Sequence, residues 1–129
     1  MNRRFATLAL VALVAALTLS ACGGGASTPA PAPAGKTFNV EQSEFKFEPN
    51  AFAAKVGEEI TFKITNKGSL EHNFVVFDPS GKELARTTVA VGASGSLTVK
   101  PAVAGAYMID CDIAGHREAG MVATLTVGP

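Results

Sequence analysis

Between Lys36 and Pro129 apolar and polar side chains alternate with a period of two, and Gly, Pro, Asn or Asp interrupts each run. Ile60, Phe62 and Ile64 alternate with Thr61, Lys63 and Thr65. Leu97 and Val99 alternate with Ser96, Thr98 and Lys100, and Ala123, Leu125 and Val127 with Val122, Thr124 and Thr126. A strand so patterned turns one face to a core and the other to water. Further strands are expected over residues 38–40, 45–47, 72–77, 84–89 and 107–111, with turns at Asn66-Lys67-Gly68 and Asp78-Pro79-Ser80-Gly81. No segment of this region carries a helical stripe, and there is no internal repeat. Seven or eight short strands in one region predict an all-β fold, a Greek-key β-sandwich or barrel around a single core.

The N-terminal third has a different pattern. Arg3 and Arg4 precede an apolar run from Phe5 to Leu19 that only Thr7 and Thr18 interrupt, too short for a spanning helix and built like an export signal. It ends in Leu19-Ser20-Ala21-Cys22, which resembles the bacterial lipobox, in which the Cys becomes lipidated and starts the mature chain. Residues 1–21 are therefore expected to be a lipoprotein signal peptide and Cys22 the lipidation site. Residues 22–35 are rich in Gly, Pro and Ala, with no charge and no bulky apolar side chain. That composition cannot pack, and its alternating Pro favours an extended tether of roughly 30–40 Å at about 3 Å per residue. Residues 36–129 form the expected folded domain.

Eleven basic residues balance eleven acidic ones over the 129 residues. Loss of Arg3 and Arg4 with the signal leaves nine against eleven, so the mature protein is slightly acidic. A groove that neutralises phosphates needs a basic excess, so nucleic acid is excluded as a partner. Two cysteines are too few for a disulfide framework or a four-cysteine metal site. Acylation of Cys22 would also rule out a Cys22–Cys111 bridge. The acidic residues Glu41, Glu44, Glu48, Glu58 and Glu59 read as a solvated face.

The residues with chemistry are few. His72 precedes Asn73, and Cys111, His116 and Met121 follow with the spacing Cys-x4-His-x4-Met. Cys111 shares the strand parity of Tyr107 and Ile109. Asp112 to Gly115 and Ala119-Gly120 allow a tight loop that brings thiolate, imidazole and thioether together, with a second imidazole from a distant strand. Two nitrogens and one thiolate in a plane with a weak axial thioether suit copper, whereas zinc and iron make little use of a thioether. No Ser lies near a His in a nucleophile motif, and spacing alone supports no paired-carboxylate site, so an enzyme is not expected.

The stretch from Tyr107 to Val127, together with Glu71-His72-Asn73-Phe74, resembles the plastocyanin/azurin-like cupredoxins. The resemblance implies a Greek-key sandwich holding one mononuclear type 1 copper that carries single electrons. His72, Cys111 and His116 would be equatorial ligands and Met121 the axial one. The exposed edge of His116 would be the electron's exit. The interval from His72 to Cys111 matches the compact members and leaves no room for azurin's long flap. Arg117 and Glu118 put charge where several relatives have an apolar docking patch. Asn73 is expected to tie the His72 strand to the Cys111 loop by hydrogen bonds, as groups behind metal ligands orient them.

Three functions follow. The favoured one is a monomeric electron carrier, lipid-anchored to a membrane and facing the periplasm or exterior, serving redox proteins of an electron-transfer chain. The alternative is copper storage, delivery or resistance, which the Cys111 thiolate and the lack of a Met-rich tract disfavour. A redox enzyme feeding a second metal would need further His ligands, and a dinuclear copper site a second Cys in the loop. Neither is present.

Overall fold

A computed structural model describes residues 35–129; the expected signal peptide, Cys22 and almost all of the tether lie outside them. Among the described residues there is no helix, and nine strands form two sheets. They are β1 (Lys36–Ser43), β2 (Lys46–Glu48), β3 (Ala51–Lys55), β4 (Ile60–Asn66), β5 (His72–Phe77), β6 (Glu83–Val89), β7 (Ser94–Val99), β8 (Gly105–Asp110) and β9 (Val122–Gly128). One sheet has the order β2-β1-β4-β7 and the other β3-β9-β8-β5-β6. The β1–β4 and β3–β9 pairs are parallel and the rest antiparallel. The chain crosses repeatedly between the sheets, which is the expected Greek-key sandwich.

The period-two pattern places the core as anticipated. Ile60, Phe62 and Ile64 are fully buried from β4, Tyr107 and Ile109 from β8, and Ala123, Leu125 and Val127 from β9. Aromatic rings link the two sheets in series. Phe38 lies 4.9 Å from Phe52, Phe52 5.1 Å from Phe62, Phe62 5.1 Å from Phe74, and Phe74 5.2 Å from Phe47. Tilted and edge-on rings at such separations add to the stabilisation from area burial alone. His72 and Phe74 occupy alternate positions of β5, so the surface that buries Phe74 also buries His72.

The strand count exceeds the seven or eight expected, and β3 accounts for the difference. Its sequence Ala51-Phe52-Ala53-Ala54-Lys55 has weak strand propensity. It is ordered by parallel pairing with β9 from Ala51↔Thr124 to Lys55↔Gly128, a long-range contact that no local pattern encodes. Phe45 is also displaced from expectation: it lies in the turn between β1 and β2, and the short strand starts at Lys46. That displacement carries Phe45 to the end of the sandwich where the histidines meet.

Candidate metal centre

β5 begins at His72 and β8 ends one residue before Cys111, so neighbouring antiparallel strands deliver an imidazole and a thiol to the same end of the sandwich. The loop after Cys111 then turns tightly. His116 N–H donates to Ile113 O at 3.0 Å, Ala119 N–H to Gly115 O at 3.0 Å, and Met121 N–H to His116 O at 3.0 Å. Cys111 N–H donates to Met121 O at 3.2 Å, closing the loop. Gly115 and Gly120 adopt φ of 84° and 104°, a region open to glycine and strained for other residues.

The loop brings the expected residues together. The ligating atoms of His72, Cys111 and His116 all lie within 4.8 Å of one another, and all three residues are buried. Nδ1 of His72 faces Nδ1 of His116 at 3.1 Å, and Cys111 Sγ lies 3.4 Å from the latter. Met121 follows on the same loop, its backbone bonded to Cys111 and His116, and is fully buried in the core. Cys111 is a free thiol.

Burial, then the facing His116 imidazole, push His72 below the ordinary histidine value, while Glu44 opposes that shift. Burial pushes the Cys111 thiol up, opposed by the N–H groups of Asn73 and Ile113. Two imidazole nitrogens and a sulfur thus converge on three buried residues, close enough to share one cation. The donor set fits a borderline-soft metal ion, and copper best among these.

Asn73 stands where the sequence reading places it, between strand and loop. Its backbone N–H donates to Cys111 Sγ at 3.3 Å, and Nδ2 donates to Asp112 Oδ1 at 2.6 Å. Thr88 Oγ1 donates to Asn73 Oδ1 at 2.8 Å, and Arg86 spans Glu83 and Asp112. Hydrogen bonds from Asn73 and Arg86 hold Asp112 below the usual carboxylate range. Five side chains therefore fasten β5, β6 and the start of the ligand loop into one unit.

Three residues near the centre differ from expectation. Arg117 does not simply add surface charge, because it turns to pair with Asp110, whose carboxylate is completely buried beside Cys111. Burial raises the Asp110 pKa, and the Arg117 charge opposes it. Phe45, expected in a strand, instead packs edge-on to His116 with ring centroids 4.8 Å apart, and 7% of His116 is exposed. Glu44 is not part of a solvated face. Its Oε1 accepts the N–H groups of Ser69 and Leu70, both at 2.7 Å, and lies 3.6 Å from His72 Nε2. Sequence spacing gave no signal for Glu44 or Phe45, which reach the site from a turn nearly thirty residues before His72. A surface concavity on the outer face of β1, β4 and β7, around Asn39, Lys63 and Ser96, contains none of these residues.

The cupredoxin-like domain family matches residues 9–127. The copper-resistant cuproprotein CopI of Rubrivivax gelatinosus is 31% identical over 113 residues, covering 74% of this chain and 68% of CopI. The chloroplast plastocyanin of Hordeum vulgare is 41% identical over 90 residues, covering 63% of this chain and 54% of the barley protein, so the match spans about half of that relative. Auracyanin A, a "blue" copper protein of Chloroflexus aurantiacus, superposes with a TM-score of 0.64 at 17% identity, over 73% of this chain and all of that one, which is a likeness of fold. With the family match spanning most of the sequence, the chain belongs to the cupredoxin-like domain family.

Proposed function

We propose that this protein is a one-electron carrier of the cell envelope in which His72, Cys111, His116 and Met121 would hold a single copper ion. The observation that carries the reading is the convergence of two imidazole nitrogens and a thiol sulfur within 4.8 Å of one another on three buried residues. Bound copper would supply a one-electron couple between its two oxidation states, for which thiolate, thioether and imidazole are all acceptable ligands. The protein's part is to hold these donors in one arrangement. β5 fixes His72, the closed loop fixes Cys111, His116 and Met121, and the Asn73–Asp112 bond joins the two. Burial keeps water from the donors, and the narrow His116 edge beside Phe45 leaves a short route to the surface. Redox proteins are the partners this arrangement suits. The lipobox-like Leu19-Ser20-Ala21-Cys22 supports attachment to a membrane through Cys22, with the domain held off it by the tether.

The test is to load the purified full-length protein with copper(II), record its visible spectrum and follow its reduction by voltammetry. An intense thiolate-to-copper charge-transfer band, lost in Cys111→Ala, with a reversible one-electron wave is expected. A colourless protein with full copper occupancy would reject the carrier reading. A second reading, copper handling, is favoured by the likeness to the copper-resistant cuproprotein of Rubrivivax gelatinosus. It predicts rapid loss of copper to a competing chelator and no reversible wave.

A further inference from the structure

The turn between β1 and β2 brings a carboxylate to the far side of one of the site's imidazoles. Nδ1 of His72 points at His116, and its other nitrogen, Nε2, is fully buried and has no hydrogen-bond partner among the described residues. The closest anionic group to Nε2 is Glu44 Oε1 at 3.6 Å, longer than a formed hydrogen bond but close enough for a strong interaction between an N–H dipole and a charge.

Glu44 is held there rather than having strayed there. Ser69 N–H and Leu70 N–H donate to the same Oε1, both at 2.7 Å. A Cβ at Gly68 would lie 2.5 Å from Oε1 and 2.8 Å from Oε2, so the missing side chain at Gly68 is the space the carboxylate occupies. Its own backbone N–H, with those of Leu70 and Ser69, holds the Glu44 carboxyl below the usual carboxylate range. Backbone amides and a glycine therefore form a seat for one carboxylate, and the seat faces His72.

We infer that Glu44 is a positioning residue for the metal centre, holding the Nε2–H tautomer of His72 so that Nδ1 is presented to the ion, and adding negative charge behind that ligand. The inference rests on the copper-site reading above. A carboxylate behind an imidazole ligand raises its basicity and orients its ring. Negative charge close to the ion favours the more highly charged oxidation state. Removing the charge with the shape kept, as in Glu44→Gln, should weaken copper(II) binding by about 10–100-fold, as for other groups that support metal ligands. Copper(I) binding should change less, so the reduction potential should rise. Each tenfold of selective loss in copper(II) affinity corresponds to about 59 mV for a one-electron couple.

The experiment measures copper(II) affinity by chelator competition and the midpoint potential by film voltammetry in the full-length wild type, Glu44→Gln, Gly68→Ala and the surface control Glu41→Gln. Glu44→Gln is expected to raise the potential and weaken copper(II) binding. Gly68→Ala, which displaces the carboxylate without removing it, should move both in the same direction, and Glu41→Gln should leave both unchanged. If wild type takes up copper with its charge-transfer band and Glu44→Gln matches it in affinity and potential, the Glu44 inference is wrong while the site reading stands. If wild type takes up no copper, it is the site reading that fails. Should the substituted chains not fold, nitrogen–proton correlation spectra of copper(I)-loaded wild type decide the matter. A slowly exchanging Nε2 proton on His72 is expected, and a proton on Nδ1 would overturn the inference.

Discussion

Asn73 donates from Nδ2 to Oδ1 of Asp112 at 2.6 Å, joining the residue after one histidine of the centre to the residue after its cysteine. The bond spans 39 positions of sequence and connects β5 to the ligand loop. Thr88 holds the other end of the Asn73 amide and Arg86 the other oxygen of Asp112, so the connection has little freedom to rotate.

Asn73→Ala should therefore shift the reduction potential more than it weakens the fold. Two partly exposed hydrogen bonds are lost, each worth about 1 kcal/mol or less in net stability. Film voltammetry together with urea unfolding separates the two effects. An unchanged potential would remove Asn73 from the support of the centre.

Arg117→Ala leaves the buried Asp110 carboxylate without its counter-charge. Removing one partner of a fully buried pair costs roughly 3–5 kcal/mol. Arg117 is half exposed, so solvent takes over part of its role and about 1–3 kcal/mol is expected here. Asp110→Asn combined with Arg117→Ala should recover most of that loss in thermal unfolding of the metal-free protein. A double variant as unstable as the single one would show that Arg117 acts through packing over the Phe77 ring, 5.9 Å away, instead of through charge.

Copper(II) uptake at neutral pH should release the Cys111 proton, because burial keeps metal-free Cys111 a thiol and a ligating sulfur must lose its proton. His72, pushed below its ordinary value, is already neutral there and adds none. Apparent affinity should then rise about tenfold per pH unit below the Cys111 pKa. The raised thiol pKa has a separate consequence for the metal-free fold. Its contribution to stability is complete below the unfolded cysteine value of about 8.5 and is lost as pH rises through the folded value. Proton release measured with an indicator dye tests the first statement, and urea midpoints between neutral and alkaline pH test the second.

Phe45→Ala should open His116 to water. The ring is itself 37% exposed, so the loss of burial is partial and about 1–2 kcal/mol of stability is at stake. Faster solvent exchange of the His116 ring proton in the copper(I) form is the expected signature. Exchange as slow as in the wild type would mean that the loop backbone, and not Phe45, screens the ring.

Much of this molecule was legible before folding. The alternation in residues 60–65, 96–100 and 122–127 reads directly as strands, because a pleated strand places neighbouring side chains on opposite faces. The candidate donors were equally plain, since Cys111, His116 and Met121 fall on one short loop and His72 is the remaining histidine of the domain. β3 was not legible, because its alanines have little preference for a strand and its order comes from pairing with β9.

By itself the sequence determined the two-faced strands and the set of candidate donor atoms, both of which depend on residue type and short spacing. Only the tertiary structure decided what stands around those donors. Glu44 and Phe45 read as a surface acid and a strand residue, yet the β1–β2 turn delivers one to each histidine. Arg117 reads as a surface charge until the loop folds it onto a buried Asp110. A side chain's chemistry is local, whereas its electrostatic neighbours are set by which distant segments the core brings together, and that is decided only when the sheets pack.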